Sequence, residues 1–136
     1  MSNLDGMWFY QSFCPKGGSA ETPPQIAAPW APPGQLHATT DAATGKVTGT
    51  LKFAPGVELA VSGAITPAAD KLPEGIELIG ENPVAAYNIR GYFVPLSTGP
   101  GCGPVIVGTV VAVRNDLAKQ PVGTSGPFVL FPAAGY

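Results

Sequence analysis

Eighteen glycines and sixteen prolines in 136 residues leave this chain almost no window in which a helix could run for three turns. They are not spread evenly, as they would be in a disordered segment. They fall between apolar or alternating stretches, where turn residues punctuate strands. The stretches read as strands over 6–13, 34–41, 46–54, 57–66, 75–82, 85–94, 104–115 and 126–132. Outside them, 116–120 holds one helical turn at most.

Period-two alternation is clearest in the middle of the chain. Val47, Gly49, Leu51 and Phe53 share one face of a strand, with Lys46, Thr48, Thr50 and Lys52 on the other. The next segment sets Val57, Leu59, Val61 and Ile65 against Glu58, Ser62 and Thr66. Ala43-Thr44-Gly45 and Ala54-Pro55-Gly56 are tight reversals, so strands two to four form a meander. Close sequential hairpins favour a barrel over a sandwich, which needs a long crossover between its sheets, and closure removes the two free edges. The expected fold is all-β, a single eight-stranded antiparallel up-and-down β-barrel, built as one domain over 1–136. The exception to its short turns is a long Pro-rich loop at 14–33, with six prolines and Trp30. Loops of this length often serve as lids or binding loops, and a surface excursion pinned to the wall by Trp30 is the equal alternative.

Composition narrows the partners. Charged residues make up 12% of the chain, about half the usual share, which leaves room for a homo-oligomer. The net charge is −2 and the basic residues are scattered from Lys16 to Lys119, so no stripe exists to neutralise phosphates and no nucleic acid is expected. No apolar run approaches the roughly 18 residues that span a bilayer, and the N-terminal sequence has no basic-then-apolar leader, so no membrane partner and a cytoplasmic location are expected. Cys14 and Cys102 follow strands one and six at opposite rims, roughly 20 Å apart at about 3.3 Å per residue, and are expected to remain thiols.

Gly6-Met7-Trp8 resembles the first strand of the calycin barrels, the lipocalins and avidins, which open it with Gly-x-Trp. The likeness is strongest to the avidin-like group, through Gly45-Lys46-Val47-Thr48-Gly49-Thr50 and, more loosely, Val61-Ser62-Gly63. It covers strands one to four and implies an eight-stranded barrel with a ligand in its lumen. Avidins line their biotin site with several tryptophans from later strands, whereas Trp8 and Trp30 are the only two here, so the biotin site is not matched. Lipocalins place an arginine near the last strand, and here the last arginine is Arg114, at the end of strand seven.

Few residues point to chemistry. His37 is the only histidine, flanked by Leu36 and Ala38 on the opposite face, and reads as a strand residue without catalytic duty. His37, Cys14 and Cys102 lack the close spacing of a zinc site, so no metal is expected. The run 99–104 is glycine-rich but lacks the following Lys-Ser/Thr and precedes a strand, so it forms no phosphate loop, and no motif calls for a cofactor. The carboxylates are dispersed, with Glu77 and Glu81 on a wet face. The ligand-binding candidates are Trp8, Tyr10 and Ser12 on strand one, Trp30 in the loop, and Asn88, Arg90 and Tyr92 on strand six, the inner face of each strand being left open. The first functional reading is a binder of a small hydrophobic or aromatic molecule, since a pocket of this kind needs apolar walls and a few fixed polar groups. The alternatives are a cyclase- or isomerase-type barrel enzyme that holds a reactive conformer of an apolar substrate, and an oligomeric structural module using the outer side of Val105–Val113.

Overall fold

The computed structural model describes residues 2–16, 25–53, 56–94 and 105–133. These form nine strands: β1 (Gly6–Lys16), β2 (Gln25–Pro29), β3 (Gly34–Thr40), β4 (Lys46–Phe53), β5 (Val57–Thr66), β6 (Gly75–Glu81), β7 (Ala86–Val94), β8 (Val105–Arg114) and β9 (Ser125–Pro132). Eight of them, β1 and β3 to β9, pair antiparallel with their neighbours, and β9 returns to β1 through Trp8↔Pro132 to Ser12↔Phe128, which closes the barrel. The expected all-β up-and-down barrel is the observed fold. No helix among the described residues is long and apolar enough to cross a membrane.

The ninth strand is the departure from the sequence reading. Beyond Ser12, β1 leaves the barrel and pairs with β2 from Phe13↔Pro29 to Lys16↔Gln25, with a register shift at Cys14/Pro15. Proline density made 14–33 read as loop throughout. Pro15 and Pro29 cannot donate to a ladder, but an edge hairpin with few donors to satisfy tolerates them, and a bulge accommodates the missing N–H. Cys102 lies outside the described residues.

Alternation positions the lumen. Burial in β3 switches at every residue, with Gly34, Leu36, Ala38 and Thr40 inside and Gln35, His37 and Thr39 outside. Leu51, Leu59, Leu78, Ile89, Val110 and Leu130 extend the same inner face around the barrel. Closing so narrow a cylinder forces strands close together where they bend most. A Cβ on Gly49 would run into the His37 carbonyl oxygen and stand 2.9 Å from the Ala38 Cα, so only glycine fits that crossing. At the β3–β4 turn, Gly45 takes a φ of 75° and donates its N–H to the Asp41 carbonyl at 2.7 Å.

The two ends of the barrel are finished differently. At the end where β1 begins, residues 2–5 cross the lumen. Leu4 is fully buried there; its N–H donates to the Thr40 Oγ1 at 2.8 Å and its carbonyl accepts from Trp8 Nε1 at 3.1 Å. The Asp5 carboxylate accepts from the Thr40 N–H at 2.6 Å, and Ser2 donates to Glu74 from both its backbone N–H and its hydroxyl. Val47, Ile65 and Ile76 fill the space beneath. At the other end, where β1 leaves, the barrel holds a cavity.

A candidate ligand cavity at one end of the barrel

The cavity has a volume of about 340 Å³, near the lower end of the range for small-molecule sites. Its deeper wall comes from inward positions of the strands, Tyr10 on β1, Leu51 on β4, Leu59 on β5, Ile89 on β7 and Val110 on β8. Its upper wall comes from Phe53, Val57 and Tyr87, from Trp30, Ala31 and Pro32 after β2, and from Asp116, Leu117 and Ala118 between β8 and β9.

Trp30 is held by both ends of its residue. Its backbone N–H donates to the Ser12 carbonyl at 2.8 Å, and the Gln11 amide donates to the Ser12 and Ala31 carbonyls at 2.9 Å each, which pins the segment to the rim of β1. Its indole Nε1 donates to Asp116 Oδ2 at 3.0 Å. The same oxygen accepts from the Gln120 N–H at 2.9 Å, and Oδ1 accepts from the Tyr87 hydroxyl at 2.6 Å. That hydroxyl in turn accepts from the Leu117 N–H at 2.8 Å. Asp116 thus ties β7, the β8–β9 connection and the Trp30 segment into one rim. Burial opposes its charge, but donation from Tyr87, Trp30 and the backbone N–H groups of Gln120 and Ala118 holds the carboxyl below its ordinary range.

Deeper, Tyr10 stacks on Phe128 with ring centroids 5.8 Å apart and meets Phe53 edge-on at 5.9 Å. Burial pushes its phenol well above the ordinary value, only partly offset by the hydrogen bond with the Ser12 hydroxyl. Tyr87 is pushed the same way by burial and by its hydrogen bond to Asp116. Both phenols stay protonated throughout the neutral range.

Tyr10, Ser12 and Trp30 come together in this cavity. Trp8 faces the lumen with Tyr10 and Ser12 but stands lower, committed to Leu4 at the closed end, and does not line the cavity. Asn88, Arg90 and Tyr92, on the face that the sequence left open, point to the outside of β7 and are not brought to this cavity. The inward set is Tyr87, Ile89, Gly91 and Phe93, since the pleat gives alternate residues to alternate faces. Arg90 pairs with Glu77 on the outer surface, Nε to Oε1 at 3.3 Å. Leu51, Phe53, Leu59, Ile89 and Val110 carried a signal, the alternation that places them inside, but nothing local marked them as cavity rather than filled core. Tyr87 was legible as the odd-numbered partner of Ile89. Asp116 had no sequence signal, because its importance comes from Trp30 and Tyr87, 86 and 29 residues away.

The fold and the cavity define a closed eight-stranded antiparallel barrel, sealed at one end and carrying an apolar chamber at the other. No family model matches the chain, and comparison with curated proteins and with solved structures finds no match. Among the described residues no group of three or more His, Cys, Asp or Glu side chains is placed to hold a metal ion.

Proposed function

We propose that this protein binds a small, mainly apolar organic molecule in the chamber enclosed by Tyr10, Trp30, Leu51, Phe53, Leu59, Tyr87 and Ile89. The observation that carries the reading is the chamber itself: apolar walls about 340 Å³ in extent, with polar groups confined to Tyr10, Ser12 and the Asp116 rim. At interior packing density this space suits a molecule of about a dozen non-hydrogen atoms. The resemblance of Gly6-Met7-Trp8 to calycin barrels points the same way. Both Asp116 oxygens already accept hydrogen bonds and both wall phenols are held protonated, which argues against proton-transfer chemistry by these groups. An enzyme that only holds a reactive conformer is separated from a binder by experiment. The test is native mass spectrometry of the protein purified from its source, followed by incubation with whatever compound leaves it. Return of the compound unchanged supports a binder, conversion supports the enzyme alternative, and an empty chamber that takes up no apolar probe overturns both.

A second reading, self-association, rests on a separate observation. The outward positions of β8, β9 and the barrel part of β1 include Val107, Val129, Phe131 and Phe9 and carry no charge up to Arg114; Val107 and Phe131 are exposed, and the Phe9 and Phe131 rings lie 5.5 Å apart. Two copies meeting on this face bring no like charges together, and a two-fold axis would pair the patch with itself. Sedimentation equilibrium tests this, with Val107→Glu expected to shift a dimer to monomer. A monomer at every concentration removes the reading.

A further inference from the structure

The chamber's rim carries a charge that has no ion-pair partner among the described residues. Asp116 is buried at 7% exposure, all of its named donors are neutral, and the ion pairs among the described residues, Lys52–Glu58 and Arg90–Glu77, do not involve it. Its carboxyl is nevertheless held in the ionised form by those donors. Four aromatic rings, Tyr10, Trp30, Phe53 and Tyr87, border the same space, with Trp30 and Tyr87 set edge to face at a centroid distance of 6.3 Å. Aromatic rings and a carboxylate without a described ion-pair partner, set at the wall of one largely apolar chamber, attract the same thing, a weakly hydrated organic cation. An anion meets repulsion from Asp116 and, among the described residues that line the chamber, no Lys, Arg or His to offset it. Below the rim the wall is Leu51, Leu59, Ile89 and Val110, which can only accept an apolar body.

We infer that the occupant of this chamber is amphipathic in one particular sense: an apolar body seated against Leu51, Leu59, Ile89 and Val110, bearing an alkylated ammonium head under Trp30, Tyr87 and Asp116. This rests on the reading of the chamber as a small-molecule site and adds the charge of its ligand. The test uses calorimetric titration of the full chain with three probes of about one size, trimethyl(3-phenylpropyl)ammonium, its neutral isostere with a quaternary carbon in place of nitrogen, and 4-phenylbutyrate. The cation is expected to bind at least tenfold more tightly than the isostere, and the anion most weakly. Asp116→Asn is expected to reduce the cation's affinity at least tenfold and to leave the isostere within twofold. Should that variant fail to fold, as judged by its circular dichroism and melting transition, Trp30→Leu serves instead, lowering the cation's affinity more than the isostere's. An isostere that binds as well as the cation, or a substitution that weakens both equally, overturns the cationic head while leaving an apolar site. If no probe binds, the small-molecule reading falls with it.

Discussion

The two tryptophans show how differently one barrel finishes its ends. Both are buried, at 5% for Trp8 and 7% for Trp30, and both donate an indole hydrogen bond. Trp8 donates to a backbone carbonyl of its own N-terminal segment, four residues away, while Trp30 donates to a carboxylate 86 residues away. The closed end is local chain folded back over the lumen, with Leu4 and Thr40 completing a dry contact. The open end is assembled from three distant segments around one acid, and leaves space. Burial alone therefore does not distinguish an aromatic that plugs the lumen from one that borders the cavity. The partner of its polar atom does.

The largest effect should separate the ends directly. Trp8→Ala removes a fully packed ring and orphans the Leu4 carbonyl, and is expected to cost about 3–5 kcal/mol in chemical denaturation. Probe affinity of the molecules that remain folded should be unchanged. Trp30→Ala should cost less, about 1–3 kcal/mol, since its ring already borders a cavity, but should lower probe affinity sharply. If the two substitutions have the same pair of effects, the distinction between floor and mouth fails.

The open end should be pH-sensitive in both directions, whereas at the closed end the shifted group is the surface carboxylate of Glu74, held low by the Ser2 hydroxyl and N–H. Asp116 is held below its ordinary value in the folded state, so its contribution is complete above about pH 4, where the unfolded carboxyl is ionised, and is lost as pH falls through the folded value. Asp116→Asn should remove that part of the acid sensitivity, read as a flatter dependence of the denaturation midpoint on pH. The sign reverses for Tyr10 and Tyr87, whose phenols are raised. Their contribution is complete below about pH 10 and is lost above it, as the unfolded phenols ionise, by at most about 1.4 kcal/mol per phenol per pH unit. Alkaline titration followed at the phenolate absorbance should show two phenols ionising only as the barrel unfolds. At the closed end, Thr40→Val leaves the buried Leu4 N–H without an acceptor and is expected to cost about 1–2 kcal/mol with no change in probe affinity.

The barrel was legible because its determinants are local. Period-two alternation sets the faces, and Gly45 and Gly56 mark two of the reversals, so each strand could be read from its own ten residues. β2 escaped because its five residues lie among prolines and pair only with the part of β1 that leaves the barrel. The site was half legible for a related reason. Parity put Tyr10 and Ser12 on one face together, but whether that face looked inward depended on closure across β9, 120 residues later. On β7 the recognisable polar chemistry sits on Asn88, Arg90 and Tyr92, and the opposite parity lines the cavity. In a mainly apolar chamber much of the wall is unremarkable side chains, such as Leu51 and Ile89, whose chemistry gives no sign of their place.

The smallest expected effect tests that parity. Arg90 and Glu77 are both more than half exposed, with side-chain accessibilities of 67% and 54%, so their 3.3 Å contact is screened by water and pays the entropy of holding two long chains. Arg90→Gln should change stability by no more than about 0.5 kcal/mol and probe affinity by less than twofold. Tyr10→Phe, on the inward face of β1, removes the hydroxyl that Ser12 engages beside the chamber and should weaken an acceptor-bearing probe by several-fold while leaving the fold intact. The two variants lie on opposite sides of the barrel wall, Arg90 outside on β7 and Tyr10 inside on β1. If Arg90→Gln weakens binding as much as Tyr10→Phe does, the ligand sits on the outer surface of β7, and the cavity at the open end is merely imperfect packing.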